Sequence, residues 1–276
     1  DGGVRAVFCN GGVPDSLEPV TGLFPSTWGN ILCSTTWSNS YGNYFWVGTN
    51  QGNLYWTDND GVTWNLSSSG NNVAMNAEIR CMAVFNNRLY FGGGFTLEQN
   101  TSTPAYYIAY LDTNETFFPV VWNSPLGTTG VNGVVNSMVV DLNTGSYLYF
   151  AGAFTSDNGI GIGSLTINKL AIVDTANTLY DTDGNTIGLN GNGFIGGTEI
   201  KQILINVAYT NQMAVCGDFT DFNSSIYGTL SCPNFAIWVF VNNASSAVAL
   251  YPTFNNGVTS LNNQTLSVMR NGGEFY

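Results

Sequence analysis

The chain has 276 residues and a formal net charge of −12, from 18 acidic and only 6 basic side chains, with no histidine. Charged residues make up 9%, against roughly 25% in an ordinary soluble domain, while 44% apolar residues suffice to bury a core and exclude a disordered chain. The balance excludes nucleic acid, because neutralising phosphates takes clustered cations, and the missing imidazole excludes a Ser-His-Asp triad and histidine-bound zinc.

In chain order, the first apolar runs are VRAVF at 4–8 and LEPVTGLFPST at 17–27. ILCSTTW at 31–37 and FWVGT at 45–49 follow, then the polar stretch TDNDGVTW at 57–64. From there a pattern repeats. IRCMAVF (79–85), LYFGGGFT (89–96) and YYIAYLD (106–112) are echoed by VNSMVV (135–140), LYFAGAFT (148–155) and KLAIVD (169–174). IKQILINVAY (200–209), MAVCGDFT (213–220) and FAIWVFV (235–241) form a third set, and MRNGGEFY at 269–276 is a weaker copy of the middle motif. No stretch combines a 3.6-residue apolar period with helix formers, and no apolar run reaches the roughly 18 residues that cross a bilayer as a helix. The expectation is all-β, without membrane insertion.

Motif copies beginning at 45, 89, 148, 213 and 269 are spaced as one four-stranded propeller blade plus loops would be. Each unit reads as strand, polar turn, Gly-rich strand, loop, third strand and a less regular outer strand. Gly93, Gly152, Gly217 and Gly273 are expected where strands of neighbouring blades crowd together, since a missing Cβ permits close approach. Phe95, Phe154, Phe219 and Phe275, two residues on, are expected to fill the space between blades. The last unit lacks its third and fourth strands, and the N-terminal runs resemble strands three and four. The predicted fold is therefore a single domain, 1–276: a β-propeller of five four-stranded blades, closed by N-terminal strands that complete the C-terminal blade. The rival reading is a fragment of a longer propeller.

LYFGGGFT…IAYLD and LYFAGAFT…KLAIVD resemble the YxGGxFT…NxAxWD repeat of a group of β-propellers. That group includes large-DNA-virus structural proteins, fungal cortical-marker propellers and bacterial surface propellers. The resemblance covers residues 79–276 and implies an interaction or structural module without catalysis. TDNDGVTW resembles the Asp-box of sialidase-type propellers, with Gly61, Thr63 and Trp64 matching, Thr57 standing for Ser and Asn59 for Asp. It implies a hairpin turn held by its own side-chain hydrogen bonds, with the Trp packed between strands.

Catalytic constellations are sparse, and no catalytic residue is assigned. A sialidase needs three convergent arginines, and the chain holds only Arg5, Arg80, Arg88 and Arg270, two of them flanking one predicted hairpin. A glycosidase working with two carboxylates is the one enzyme class left open, although no pair stands out. A Schiff base would need Lys169 or Lys201. Asp181, Asp183 and Asn185 alternate around a Gly like half of a calcium loop but lack the later bidentate Glu, so calcium is the only cofactor considered. Cys216 and Cys232 bracket one loop and form the disulfide candidate, whereas Cys33 and Cys81 hold equivalent places in successive units and read as buried apolar residues. Sequons stand at Asn65, Asn100, Asn114, Asn223, Asn243 and Asn263, a number that 36 asparagines among many Ser and Thr produce by chance. Asn100, Asn114 and Asn223 are expected in loops.

The expected function is a non-catalytic structural or adhesive module of an external surface assembly such as a virion shell, filament or cell coat. It would act through uncharged polar and aromatic faces on other protein subunits, self-association included. The alternative is a carbohydrate-binding propeller or a carboxylate-dependent glycosidase.

Overall fold

The computed structural model describes residues 26–38, 40–59, 61–67, 73–121, 129–141, 145–156, 166–180, 193–205, 212–224 and 228–239, together with two short strand pairs near the ends of the chain. Everything described is strand, turn or loop except one 3-10 turn at Ser26–Trp28. Four successive antiparallel meanders make up the body. The first joins Ile31–Ser38, Asn43–Thr49, Leu54–Thr57 and Asn65–Leu66; the second joins Ile79–Phe85, Arg88–Gly93, Ile108–Leu111 and Phe117–Pro119. The third joins Val135–Val140, Tyr147–Gly152, Leu170–Asp174 and Leu179–Tyr180, and the fourth joins Glu199–Ile205, Gln212–Asp218 and Phe235–Val239. The lead strand of each unit packs against the lead strand of the next.

Both faces of each second strand are covered, so these strands read as continuous apolar runs rather than as an alternation. Three clusters fill the spaces between units. Trp46, Leu54 and Phe95 lie between the first and second units; Tyr90, Phe150 and Phe154 between the second and third; Tyr149, Met213 and Phe219 between the third and fourth. Phe95, Phe154 and Phe219 are fully buried there.

The motif glycines have a different neighbour from the one expected. A Cβ on Gly93 would lie 2.0 Å from the Glu78 carbonyl oxygen, on Gly152 1.9 Å from that of Val134, and on Gly217 2.4 Å from that of Glu199. These carbonyls stand at or just before the start of the first strand of the same unit, not of a neighbouring one. The residue before Gly93 does meet the next unit: a Cβ on Gly92 would reach Met138 and Val135. Gly48 stands likewise against Ile79.

Two side-chain devices shape the turns. Thr57 Oγ1 accepts from the backbone N–H of Asn59 (3.3 Å) and Gly61 (3.0 Å), and Asn59 Oδ1 accepts from the Thr63 N–H (2.9 Å), so the Asp-box is a turn tied by its own side chains. Trp64 packs edge-on to Phe45. In the next two units Asp112 and Asp174 serve the same join of third to fourth strand, each accepting two backbone N–H bonds across its turn. In the second and third units the loop after the motif is anchored from upstream. Asn76 Oδ1 accepts from Thr96 N–H (2.8 Å) and Leu97 N–H (3.1 Å), and Asn132 Oδ1 from Thr155 N–H (2.8 Å) and Ser156 N–H (3.0 Å).

Other expectations change. Arg270–Asn271 pairs antiparallel with Glu274–Phe275, where the motif reading expects one strand. Gly273 of the motif lies outside the described residues. Cys9–Asn10 pairs with Val13–Pro14. The closure expected of Val4 to Phe8 lies outside the described residues, as do the side chain of Phe275 and the calcium candidates Asp181, Asp183 and Asn185.

Candidate functional site

Each lead strand begins with a bulge at the same place. Cα pairing skips one residue between Ile31 and Cys33, Ile79 and Cys81, Val135 and Ser137, and Ile200 and Gln202. The extra residues are Leu32, Arg80, Asn136 and Lys201. A bulge frees a side chain from the alternation of the strand and re-aims it. Arg80, Asn136 and Lys201 line one open cavity of about 400 Å³ whose wall draws on all four lead strands.

These side chains form a chain of bonds across three units. Arg80 donates to Glu78 Oε1 through Nε (2.9 Å) and Nη2 (2.6 Å), and to Asn136 Oδ1 through Nη1 (2.7 Å). Asn136 Nδ2 donates to Glu199 Oε2 (2.6 Å) and the Ile200 carbonyl (2.8 Å), and Lys201 Nζ pairs with the other Glu199 oxygen. Burial opposes ionisation of Glu199. Hydrogen bonds from Lys201 and Asn136, with the charges of Lys201 and Arg80, outweigh it and hold the carboxyl below its ordinary value. Glu-Ile-Arg at 78–80 and Glu-Ile-Lys at 199–201 are thus the same device in two units. That echo is visible in the sequence; the Asn136 bridge between them needs the fold.

Below the mouth, successive lead strands are joined by small polar side chains. Cys33 Sγ donates to the Ile79 carbonyl (3.5 Å), Cys81 Sγ to that of Val135 (3.7 Å), and Ser137 Oγ to that of Ile203 (3.4 Å). Burial raises both thiols, Cys33 to about 12. They are structural donors rather than nucleophiles.

The disulfide expected between Cys216 and Cys232 is not formed; both are free thiols. Cys216 shares the strand face of Ala214, while Cys232 belongs to the cluster of Met213 and Val215 on the opposite face. The sheet stands between them. Among the sequons, Asn100 and Asn114 are exposed in turns and Asn65 is half-buried in a strand end. Asn223 is not in a loop: it pairs with Gly193 and Thr229 inside a three-stranded sheet. Asn243 and Asn263 lie outside the described residues.

Two smaller clefts carry other chemistry. One of about 180 Å³ in the first unit is lined by Trp37, Tyr44, Phe45, Asn43 and Asp58 among others. The other, about 130 Å³, is lined by Glu98 and Glu115 with Thr101, Thr103 and Thr116. Glu98 is 2% exposed and accepts from three backbone N–H groups and the Thr101 hydroxyl.

No family model matches the chain, and no curated protein matches it. Solved structures are similar to it at low identity. The GH74 enzyme of Niastella koreensis is 20% identical over 76% of this chain and 26% of its own, with a TM-score of 0.41. The computationally designed Ika4 protein is 9% identical over 76% and 91%, and the Neurospora crassa Pan2 WD40 domain 8% identical over 86% and 64%, both with TM-scores of 0.41. The chain thus spans only 26% of the GH74 enzyme's length. At scores this low the architecture rests on the pairing and packing described above.

Proposed function

We propose that the chain is a β-propeller module that works by binding rather than catalysis, as a structural or adhesive part of an external surface assembly. Repeated meanders packed lead strand to lead strand support the propeller, and five blades is the count that the motif spacing favours. The partners proposed are other protein subunits, further copies of the chain included, at a virion or cell surface. One observation carries the choice over an enzyme. Among the described residues lining the 400 Å³ cavity there is no carboxylate and no aromatic ring, the glutamates beside it are engaged with Arg80 and Lys201, and in the smallest cleft Glu98 is taken up by three backbone N–H groups and the Thr101 hydroxyl. A glycosidase needs two carboxylates flanking a sugar there. Electron microscopy of the purified chain tests the reading. Rings, filaments or ordered sheets are expected; monomers that hydrolyse members of a glycan panel would overturn it.

The cleft beside Trp37, Tyr44 and Phe45 favours a second reading, glycan binding, because aromatic rings next to Asn43 and Asp58 suit the apolar face and hydroxyls of a sugar. Retention on a glycan array, lost in Tyr44→Ala, would support it.

A further inference from the structure

Among the residues whose side chains are described there are four cations, and two of them line one cavity. Lys169 is buried elsewhere and Arg88 lies 4.6 Å over the Tyr110 ring. Arg80 and Lys201 line the 400 Å³ space, whereas their partners Glu78 and Glu199 do not. The two cations therefore border the space, and the carboxylates paired with them do not line it. Glu78 and Asn136 take three of the five guanidinium N–H groups, and Glu199 takes one of the three ammonium N–H groups. Among the described residues no acceptor takes the other two N–H groups of each cation, which are open to a ligand. Asn136 spends its carbonyl on Arg80 and its amide on Glu199 and Ile200, which makes it a positioning residue that fixes the distance between the two charges. A metal is disfavoured because no carboxylate among the described residues lines the space and the thiols on its wall are held protonated and bonded to carbonyls.

We propose that this cavity is a binding site for a small oxyanion, the carboxylate or phosphate of a small-molecule ligand, clamped between Arg80 and Lys201. Charge-assisted N–H bonds from two fixed cations are the chemistry that recognises such a group, and the volume suits a compact ligand. The proposal goes beyond the role of the module in an assembly and does not depend on it.

Calorimetric titration of the full chain with inorganic phosphate, acetate, glucuronate and glucose tests it. Saturable binding of an anion, absent with glucose, is expected; phosphate against acetate identifies the anion, and glucuronate against acetate tells a sugar acid from a bare carboxylate. Lys201→Gln and Arg80→Gln are each expected to weaken binding about tenfold, the loss of one charge-assisted contact. Lys201→Arg should keep the affinity and Arg88→Gln, outside the cavity, should not change it. Asn136→Ala should weaken binding while leaving the circular dichroism spectrum unchanged. If Arg80→Gln fails to fold, the Lys201 pair decides. No saturable anion binding, equal binding of glucose, or unchanged affinity in Lys201→Gln would overturn the proposal.

Discussion

Gly93 lies under the carbonyl of Glu78 so closely that an added Cβ would stand 2.0 Å from its oxygen. Backbone cannot swing aside as a side chain can, and this carbonyl enters the bulge that aims Arg80. Gly93→Ala and Gly152→Ala should each cost about 3 kcal/mol, the upper range of overpacking. Gly94→Ala meets only the carboxylate end of Glu78 and should cost less than about 1 kcal/mol. Urea unfolding of the three variants checks this. Equal losses at Gly93 and Gly94 would show that strand propensity, not contact, explains the glycine.

The four described thiols predict an alkaline weakness. Burial pushes Cys33 and Cys232 up to about 12 and Cys216 to about 11, and raises Cys81 as well. In the unfolded chain a thiol ionises near about 8.5. A raised folded value means that the folded state holds its proton longer. The associated stability is complete below the unfolded value and lost as pH rises toward the folded one. Each thiol contributes at most about 1.4 kcal/mol per pH unit in that window. Urea midpoints should fall steeply above about pH 8.5, and Cys216→Ala should lessen the slope. A non-reduced peptide map should find no Cys216–Cys232 bridge.

What was legible in the sequence follows from locality. Strands 79–85, 88–93 and 108–111 announce themselves through apolar runs and the repeated motif, and the Asp-box through residues 57–64 alone. The bulge at Arg80 is invisible there, because it is defined by pairing with Gly92 and Gly93. The separation of Cys216 from Cys232 depends on which face of a strand each occupies. Tyr107, Lys169 and Asn234 are equivalent positions with φ of 67°, 65° and 67°, each just before its third strand. Each donates its N–H to the motif Phe carbonyl and accepts from the motif Gly N–H. Asn tolerates that left-handed conformation, but Tyr and Lys give no sign of it in sequence.

Glu98 links acid to the smaller of the two clefts. Burial raises a carboxyl, yet four hydrogen bonds from Thr101, Asn100 and Ala74 outweigh it and leave Glu98 below its ordinary value. Its stabilisation is therefore present above the unfolded value of about 4.3 and lost as pH falls through the folded one. Glu98→Gln turns an amide toward donors and should cost about 2 kcal/mol at neutral pH. The gap between variant and native midpoints should close as the solution is acidified below about pH 4. A gap independent of pH would assign the loss to packing instead.

Lys169 reverses that sign. It is 5% exposed, and its ammonium donates to the Phe194 carbonyl at 3.1 Å. Burial lowers its proton affinity, and the charge of Asp218 only partly restores it. The unfolded chain thus binds the proton more tightly. The resulting penalty is complete below the folded value and is relieved as pH rises from there to the ordinary lysine range. Lys169→Met keeps the apolar stem and removes the charge, so it should stabilise the fold by about 1 kcal/mol at neutral pH, the scale of one poorly compensated buried polar group. The advantage should shrink as the native lysine is titrated. Parallel unfolding curves at neutral and alkaline pH, on the Cys216→Ala background to reduce thiol effects, decide it: a variant less stable than the native chain at neutral pH would show that the bond to Phe194 outweighs the buried charge.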